Sequence, residues 1–137
     1  DAVVMAAAVA DFRPANVSSS KIKKATTDPD PVSLLINPDI LVELAHHRHP
    51  GQVVVGFAAE TGDSIGDVLA YGRAKFAGKG CDLLVVNSVG EGGAFEVDEN
   101  RGWLLGDDGV ECALPEGPKS LLASYVWDAV TARLNRR

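Results

Sequence analysis

Short, almost wholly apolar runs alternate along this chain with longer stretches whose apolar positions recur every three or four residues. The first run, Ala2 to Ala10, contains no turn residue and no polar alternation, the pattern of a strand covered on both faces of a parallel sheet. Gln52-Val-Val-Val-Gly-Phe57 and Cys81-Asp-Leu-Leu-Val-Val-Asn87 repeat that pattern. Ile40, Leu41, Leu44 and Ala45 share one helical face, which predicts a helix capped by Asn37, with Pro38 and Asp39 in its first turn, ending near Arg48 before Pro50. Ile65 to about Gly78 reads as a second helix, with Ile65, Val68, Leu69 and Phe76 inward and Gly78 and Gly80 ending it. Lys119 to Leu134 is the last, with a stripe of Leu121, Leu122, Tyr125, Val126, Ala129 and Leu134.

The remaining segments fit around this frame. Val32 to Ile36 is a short strand that can pair with Lys21 to Ala25 across the turn-rich Thr26 to Pro31, making a two-stranded arm. Ala94 to Val97 and Gly102 to Leu105 read as hairpin strands, Val110 to Leu114 returns after Asp107-Asp-Gly109, and Pro115 to Pro118 breaks the run. The sum is an α/β, Rossmann-like three-layer sandwich with a mostly parallel sheet and an antiparallel hairpin extension. At 137 residues it suits a single domain.

Candidate chemistry gathers at the strand ends, where open α/β sheets bind ligands. The first run leads into Asp11, Pro14 and the basic Lys21-Ile-Lys-Lys24; the second leads into Glu60 and Thr61; the third delivers Asn87. Asp11 reads either as a turn residue beside a solvated lysine loop or as an acceptor for ribose hydroxyls with a lysine on a base carbonyl or phosphate. The small Ala6, Ala7 and Ala8 would let a flat ring approach the backbone. Phe57 beside Gly56 is either core or a stacking surface, and Pro38 to Leu41 could offer free amides to ligand oxygens. Lys75 and Lys79 lie four apart, able to grip neighbouring phosphates or simply to suit the negative end of a helix.

Charge narrows the ligand. The net charge of −6 argues against a general attraction to nucleic acid or to an anionic membrane, so local lysines in an acidic protein favour a small anion. Cys81 and Cys112 have no metal-ligand spacing and read as reduced thiols of a cytoplasmic protein. His46, His47 and His49 read as cations at a helix end rather than as metal ligands. Gly90-Glu-Gly-Gly93 lacks the spacing of a Walker or dinucleotide fingerprint. No signal peptide or membrane span is visible, and a chain that enters a strand at its second residue suggests an upstream part.

Taken in order, Ala6-Ala-Ala-Val-Ala-Asp11-Phe-Arg-Pro, Lys21-Ile-Lys-Lys24, Asn37-Pro-Asp-Ile40, Gly56-Phe-Ala-Ala-Glu-Thr61 and Lys75-x3-Lys79 resemble phosphopantothenoylcysteine synthetase from end to end. In bacteria this is usually the C-terminal half of a bifunctional coenzyme A biosynthesis protein. Gly-Cys81-Asp-Leu-Leu-Val-Val-Asn87 looks like its mycobacterial branch. The resemblance implies ligation of 4′-phosphopantothenate with cysteine through an acyl-cytidylate, with CTP and Mg²⁺. It also implies a homodimer and a fused or associated decarboxylase domain, which would hold FMN that this chain does not. By motif matching, the Met5, Ala6 and Ala7 backbone and Lys21 would meet the cytosine, and Asp11 the ribose. Pro38, Asp39, Ile40 and Leu41 would lie along the nucleotide, Phe57 beside the base, and Lys75 and Lys79 on the phosphates.

Family members carry an N-terminal glycine-rich segment with an Asn-Arg-Ser-Ser-Gly-like motif, which this sequence lacks. The catalytic asparagine is expected in that segment, so little turnover is expected from these residues alone. A nucleotide-binding or dimerisation module that does not consume CTP is the alternative. An NAD(P)-dependent Rossmann oxidoreductase is disfavoured by the absence of Gly-x-Gly-x-x-Gly.

Overall fold

The computed structural model describes residues 1–22, 31–64, 66–89 and 99–136, and of 99–101 the backbone only. The chain forms two compact units, one of Asp1–Ala7 with Ile40–Arg137 and the other of Ala8–Asp39.

The larger unit is built on a five-stranded sheet. Its strands are β1 (Ala2–Val4), β4 (Val53–Glu60), β5 (Leu83–Ser88), β6 (Glu99–Gly106) and β7 (Glu111–Pro118), in that spatial order. β1, β4 and β5 run parallel, and β6 and β7 add antiparallel pairings at one side. Alternate side chains of a strand point to opposite faces, and here both faces are covered. Val53, Val55, Leu83, Val85, Leu104 and Leu114 pack with Val126 and Val130 of α3 (Lys119–Leu134). On the other face, Val54, Ala58, Leu84, Val86 and Leu105 pack with Leu41 of α1 (Ile40–His46) and with Val68, Leu69 and Phe76 of α2 (Val68–Lys79). The result is the three-layer sandwich expected from the continuous apolar runs.

Two glycines let helices approach the sheet. A Cβ on Gly56 would overlap Leu41 Cδ2, and one on Gly72 would come within 2.7 Å of Val86 Cγ2. α2 starts at Asp67, whose carboxylate caps Ala70 N at 2.7 Å, and stops at Gly80 in the left-handed conformation (φ 66°).

The smaller unit carries an antiparallel pair, β2 (Phe12–Pro14) and β3 (Leu34–Ile36). Asn37 ties it together: its side chain donates to Ala10 O at 2.7 Å and accepts from Arg13 Nη1 at 2.8 Å. Phe12, Val17, Leu34 and Ile36 are all more than half exposed.

Several expectations change. The first run gives only the three-residue, half-buried β1, because a strand with one neighbour lies at the sheet edge; residues 6–10 are exposed. Among the described residues the partner of residues 34–36 is Phe12–Pro14, and residues 23–25 of the expected lysine strand lie outside the described residues. Asn37 does not cap α1, since its side chain is engaged by Ala10 and Arg13 and the helix begins at Ile40. Pro115 and Pro118 do not break a strand; they lie in β7, an edge strand, where a missing N–H costs little. The expected strand at 94–97, the Gly90–Gly93 turn and Ile65 lie outside the described residues.

Candidate functional site

β1, β4 and β5 point their carboxyl ends to one edge of the sheet, and their register sets Asn87 beside Ala59 and Ser88 beside Glu60. Two of the three anticipated polar strand tips therefore stand side by side. The third is not on a strand of this sheet: β1 ends at Val4, and Asp11 belongs to the smaller unit, where its carbonyl accepts from Asn37 N.

On the α3 face of this edge, Phe57, Asn87, Val4, Lys119, Val126 and Trp127 line a cavity of about 330 Å³. Its walls are apolar, with Asn87 and Lys119 as polar points, the usual make-up of a small-molecule pocket. Phe57 is half-buried there, partly in the core and partly on the cavity wall.

On the α1–α2 face, the last residue of β4, Glu60, is buried at 9% exposure, and Lys75 Nζ lies 2.5 Å from its Oε1. The approach is that of an ion pair without hydrogen-bond alignment, since the same oxygen accepts no hydrogen bond. One turn earlier on α2, the Tyr71 hydroxyl donates to Asp63 Oδ1 at 2.6 Å. That bond, with burial and the charges of Asp63 and Glu60, raises the Tyr71 pKa above its ordinary value. Tyr71 and Lys75 are spaced four apart, as Lys75 and Lys79 are, so the helical spacing that singled out the lysines also points to the tyrosine. Sequence reasoning had left Tyr71, Asp63, Lys119 and Trp127 aside.

The other anticipated residues fall as follows. Met5 continues the β1 pairing by donating to Val55 O at 2.9 Å and packs on the α1–α2 face. Ala6 and Ala7 are exposed just beyond it. Ile40 is exposed at the start of α1, while Leu41 is a core side chain against Gly56. α1 is only seven residues long. Lys79 ends α2, about 6 Å further along the axis from Lys75 and close enough to Cys81 to act on its thiol. Asp11, Lys21, Pro38 and Asp39 are exposed residues of the smaller unit. Phe57 thus stands on one face of the sheet, and Met5, Glu60 and Lys75 on the other; the carboxyl edge is what they share. Among the described residues no three His, Cys, Asp or Glu side chains group as a metal site, and no helix is long and apolar enough to cross a membrane.

A layered α/β sheet with an apolar cavity and a half-buried ion pair at the carboxyl ends of its parallel strands is of the Rossmann-like class, in which that edge is the usual place for a ligand. Over residues 1–134 the chain matches the DNA/pantothenate metabolism flavoprotein C-terminal domain, and it belongs to that family. It is 57% identical over 139 aligned residues to the coenzyme A biosynthesis bifunctional protein CoaBC of Mycobacterium tuberculosis, a match covering 98% of this chain and 33% of that protein. The CoaBC of Mycolicibacterium smegmatis is 55% identical, over 96% of this chain and 33% of its own length. The chain thus spans about a third of the curated relatives it matches. The crystal structure of a CoaBC C-terminal domain superposes with a TM-score of 0.70 at 25% identity, covering all of this chain and 56% of that one. A Cab2 mutant in complex with phosphopantothenate-cysteine superposes at 0.66, over 96% of this chain and 43% of its own, and at 21% identity shares the fold. The resemblance to phosphopantothenoylcysteine synthetase read from the motifs is borne out at the level of the family.

Proposed function

We propose that this chain takes part in coenzyme A biosynthesis as the nucleotide-binding portion of a ligase that joins 4′-phosphopantothenate to cysteine at the expense of CTP. The observation that carries this reading is the 57% identity to a CoaBC protein across 98% of the chain. In the proposed reaction the phosphopantothenate carboxylate attacks the α-phosphorus of CTP and pyrophosphate leaves. The amine of cysteine then attacks the acyl carbon and CMP leaves.

The chemistry brings anions together, so cations must be supplied. Lys75 and Lys79 are assigned to the phosphates, the Met5, Ala6 and Ala7 backbone and Phe57 to the base, and Ile40 and Leu41 to the length of the nucleotide. The assignments of Asp11 to the ribose, Lys21 to the cytosine, and Pro38 and Asp39 to the nucleotide rest on the motifs alone. Mg²⁺ held by the triphosphate would neutralise phosphate charge. Glu60, a buried carboxylate whose Oε1 accepts no hydrogen bond, has the donor chemistry for such an ion. The exposed apolar side chains Phe12, Leu34 and Ile36 support a subunit interface, and with it the homodimer expected of the family. The same observation favours the second reading, a binding and dimerisation module without turnover.

Calorimetric titration with CTP and with ATP, in the presence of Mg²⁺, tests the proposal. CTP should bind in preference to ATP, and Lys21→Ala should abolish the preference. Equal binding of the two nucleotides, or of neither, would refute it.

A further inference from the structure

Glu60 is an unusual residue to find where it is. Burying a carboxylate is costly unless it is hydrogen-bonded or paired, and among the described residues Glu60 is the buried acid at the carboxyl ends of the parallel strands. Its Oε1 accepts no hydrogen bond from the described residues. What it meets is the half-exposed ammonium of Lys75, at 2.5 Å. A second carboxylate, Asp63, is bonded to Tyr71 one turn away on the same helix. An incoming phosphate therefore finds at Lys75 a cation already neutralised, with further negative charge beside it.

A phosphate that binds Lys75 must draw it away from Glu60. That leaves a nine-tenths-buried carboxylate oxygen with neither a hydrogen bond nor a counter-ion. A proton or a metal ion has to fill that place. Mg²⁺ keeps several waters and is commonly held by one or two carboxylates together with substrate phosphates. A single carboxylate within reach of a bound triphosphate satisfies that requirement, whereas without phosphates the described residues offer no cluster that could hold an ion.

We propose that Glu60 exchanges partners, holding Lys75 in the nucleotide-free protein and the nucleotide's divalent cation once a triphosphate has taken Lys75. Binding of nucleotide and metal is then one linked event, and each strengthens the other by the same factor. The proposal rests on the reading of Lys75 as a phosphate ligand. It adds a protein side to the metal dependence, beyond the binding of Mg²⁺ by the nucleotide itself.

The test is calorimetric titration of the chain with CTP, once with Mg²⁺ and once with a chelator, for the parent and for Glu60→Gln. The parent should bind CTP about tenfold or more tightly with Mg²⁺ than without it, a coupling of ordinary size. Glu60→Gln should bind metal-free CTP more tightly than the parent, because Lys75 is unmasked, and should keep little of the Mg²⁺ enhancement. An unchanged enhancement in Glu60→Gln would overturn the exchange while leaving nucleotide binding intact. A parent that binds CTP under neither condition would overturn the functional reading and this proposal together. A measurement on the parent alone guards against a misfolded variant. The Lys75 ammonium resonance, observed by ¹⁵N NMR, should shift when CTP and Mg²⁺ are added, and a resonance that stays in place refutes the exchange.

Discussion

Replacing Asp82 by alanine is expected to lower the melting temperature of this chain by roughly 10 °C, taking about 3–4 °C per kcal/mol for a domain of this size. Asp82 is 1% exposed, and its Oδ2 accepts from Val54 N at 2.7 Å and from Arg48 Nη1 at 2.6 Å. The alanine variant leaves the Val54 N–H buried and unpaired, which costs about 1–3 kcal/mol. Arg48 matters less, because its side chain is 35% exposed and can turn to water; its lost pairing adds at most about 1 kcal/mol. The sum is about 1–4 kcal/mol, a large share of the ordinary stability of a domain. The main-chain bonds of Asp82, from its own N–H to Val54 O and from Asp107 N to its carbonyl, survive the substitution. The effect therefore isolates the side chain. Asp82→Asn retains an oxygen for Val54 and should cost only about half as much. Arg48→Ala combined with Asp82→Ala should cost less than the two single losses added, because both remove the same bond. Thermal unfolding followed by circular dichroism reads all of these. A Tm for Asp82→Ala within about 3 °C of the parent would refute the reasoning from the buried N–H. Equal losses for alanine and asparagine would show that the bond to Val54 is not what matters.

Gly72→Ala and Gly78→Ala should move stability in opposite directions, although both add a methyl to α2 and gain up to about 1 kcal/mol of helix propensity. At Gly72 the methyl would lie 2.7 and 2.9 Å from the two Val86 Cγ atoms, and overpacking of about 1–3 kcal/mol outweighs the gain; at Gly78 nothing lies within 4 Å. Urea midpoints that move the same way would contradict this. Two carboxylates titrate below their usual range: Glu111, through the guanidinium of Arg73, and Asp108, where burial opposes the shift but Val110 N–H, Arg133 and Arg136 outweigh it. Groups depressed in the folded state stabilise fully above their unfolded pKa and lose that contribution as pH falls through the folded value. Glu111→Gln and Asp108→Asn should each flatten the acid side of the stability profile, and a curve parallel to the parent's would exclude the linkage. Burial, first among its causes, pushes the Cys81 thiol up to about 11, and the residue is 3% exposed. A thiol reagent at mildly alkaline pH should therefore modify Cys112 in the native protein and reach Cys81 only on unfolding. Equal labelling rates would refute the assignment.

How far the sequence revealed the fold depended on how completely each element is buried. β4 and β5 were legible because both faces of each are covered, so their apolar runs are unbroken. α3 was found at Lys119–Leu134 because a sixteen-residue helix repeats its apolar spacing several times. β1 misled for the opposite reason: Ala2 to Ala10 is equally apolar, but alanine costs little to expose, and the pairing with β4 goes no further than Met5 among the first seven residues. The pairing of Phe12–Pro14 with Leu34–Ile36 was not legible because both strands have three residues and are exposed throughout; the side chains that fix them are those of Arg13 and Asn37. Asn37 carries the residue type of a helix cap, and only its tertiary partners show that it is something else.

The candidate site was legible as a set of residues but not as a geometry. Order along the chain fixed the family, because five short motifs in sequence are specific even where each is weak. Order does not say which face of a sheet a side chain takes. That follows from strand parity: Phe57 and Glu60 are three residues apart on one strand, so they must point to opposite faces. The same parity places Glu60, rather than Ala59, against α2 within reach of Lys75. A lysine read from the sequence as a free cation for phosphate is thereby already engaged. Any anion that binds Lys75 has to compete with a carboxylate fixed at the end of β4, and under the proposed exchange the contest is decided by the charge that replaces Lys75 at Glu60.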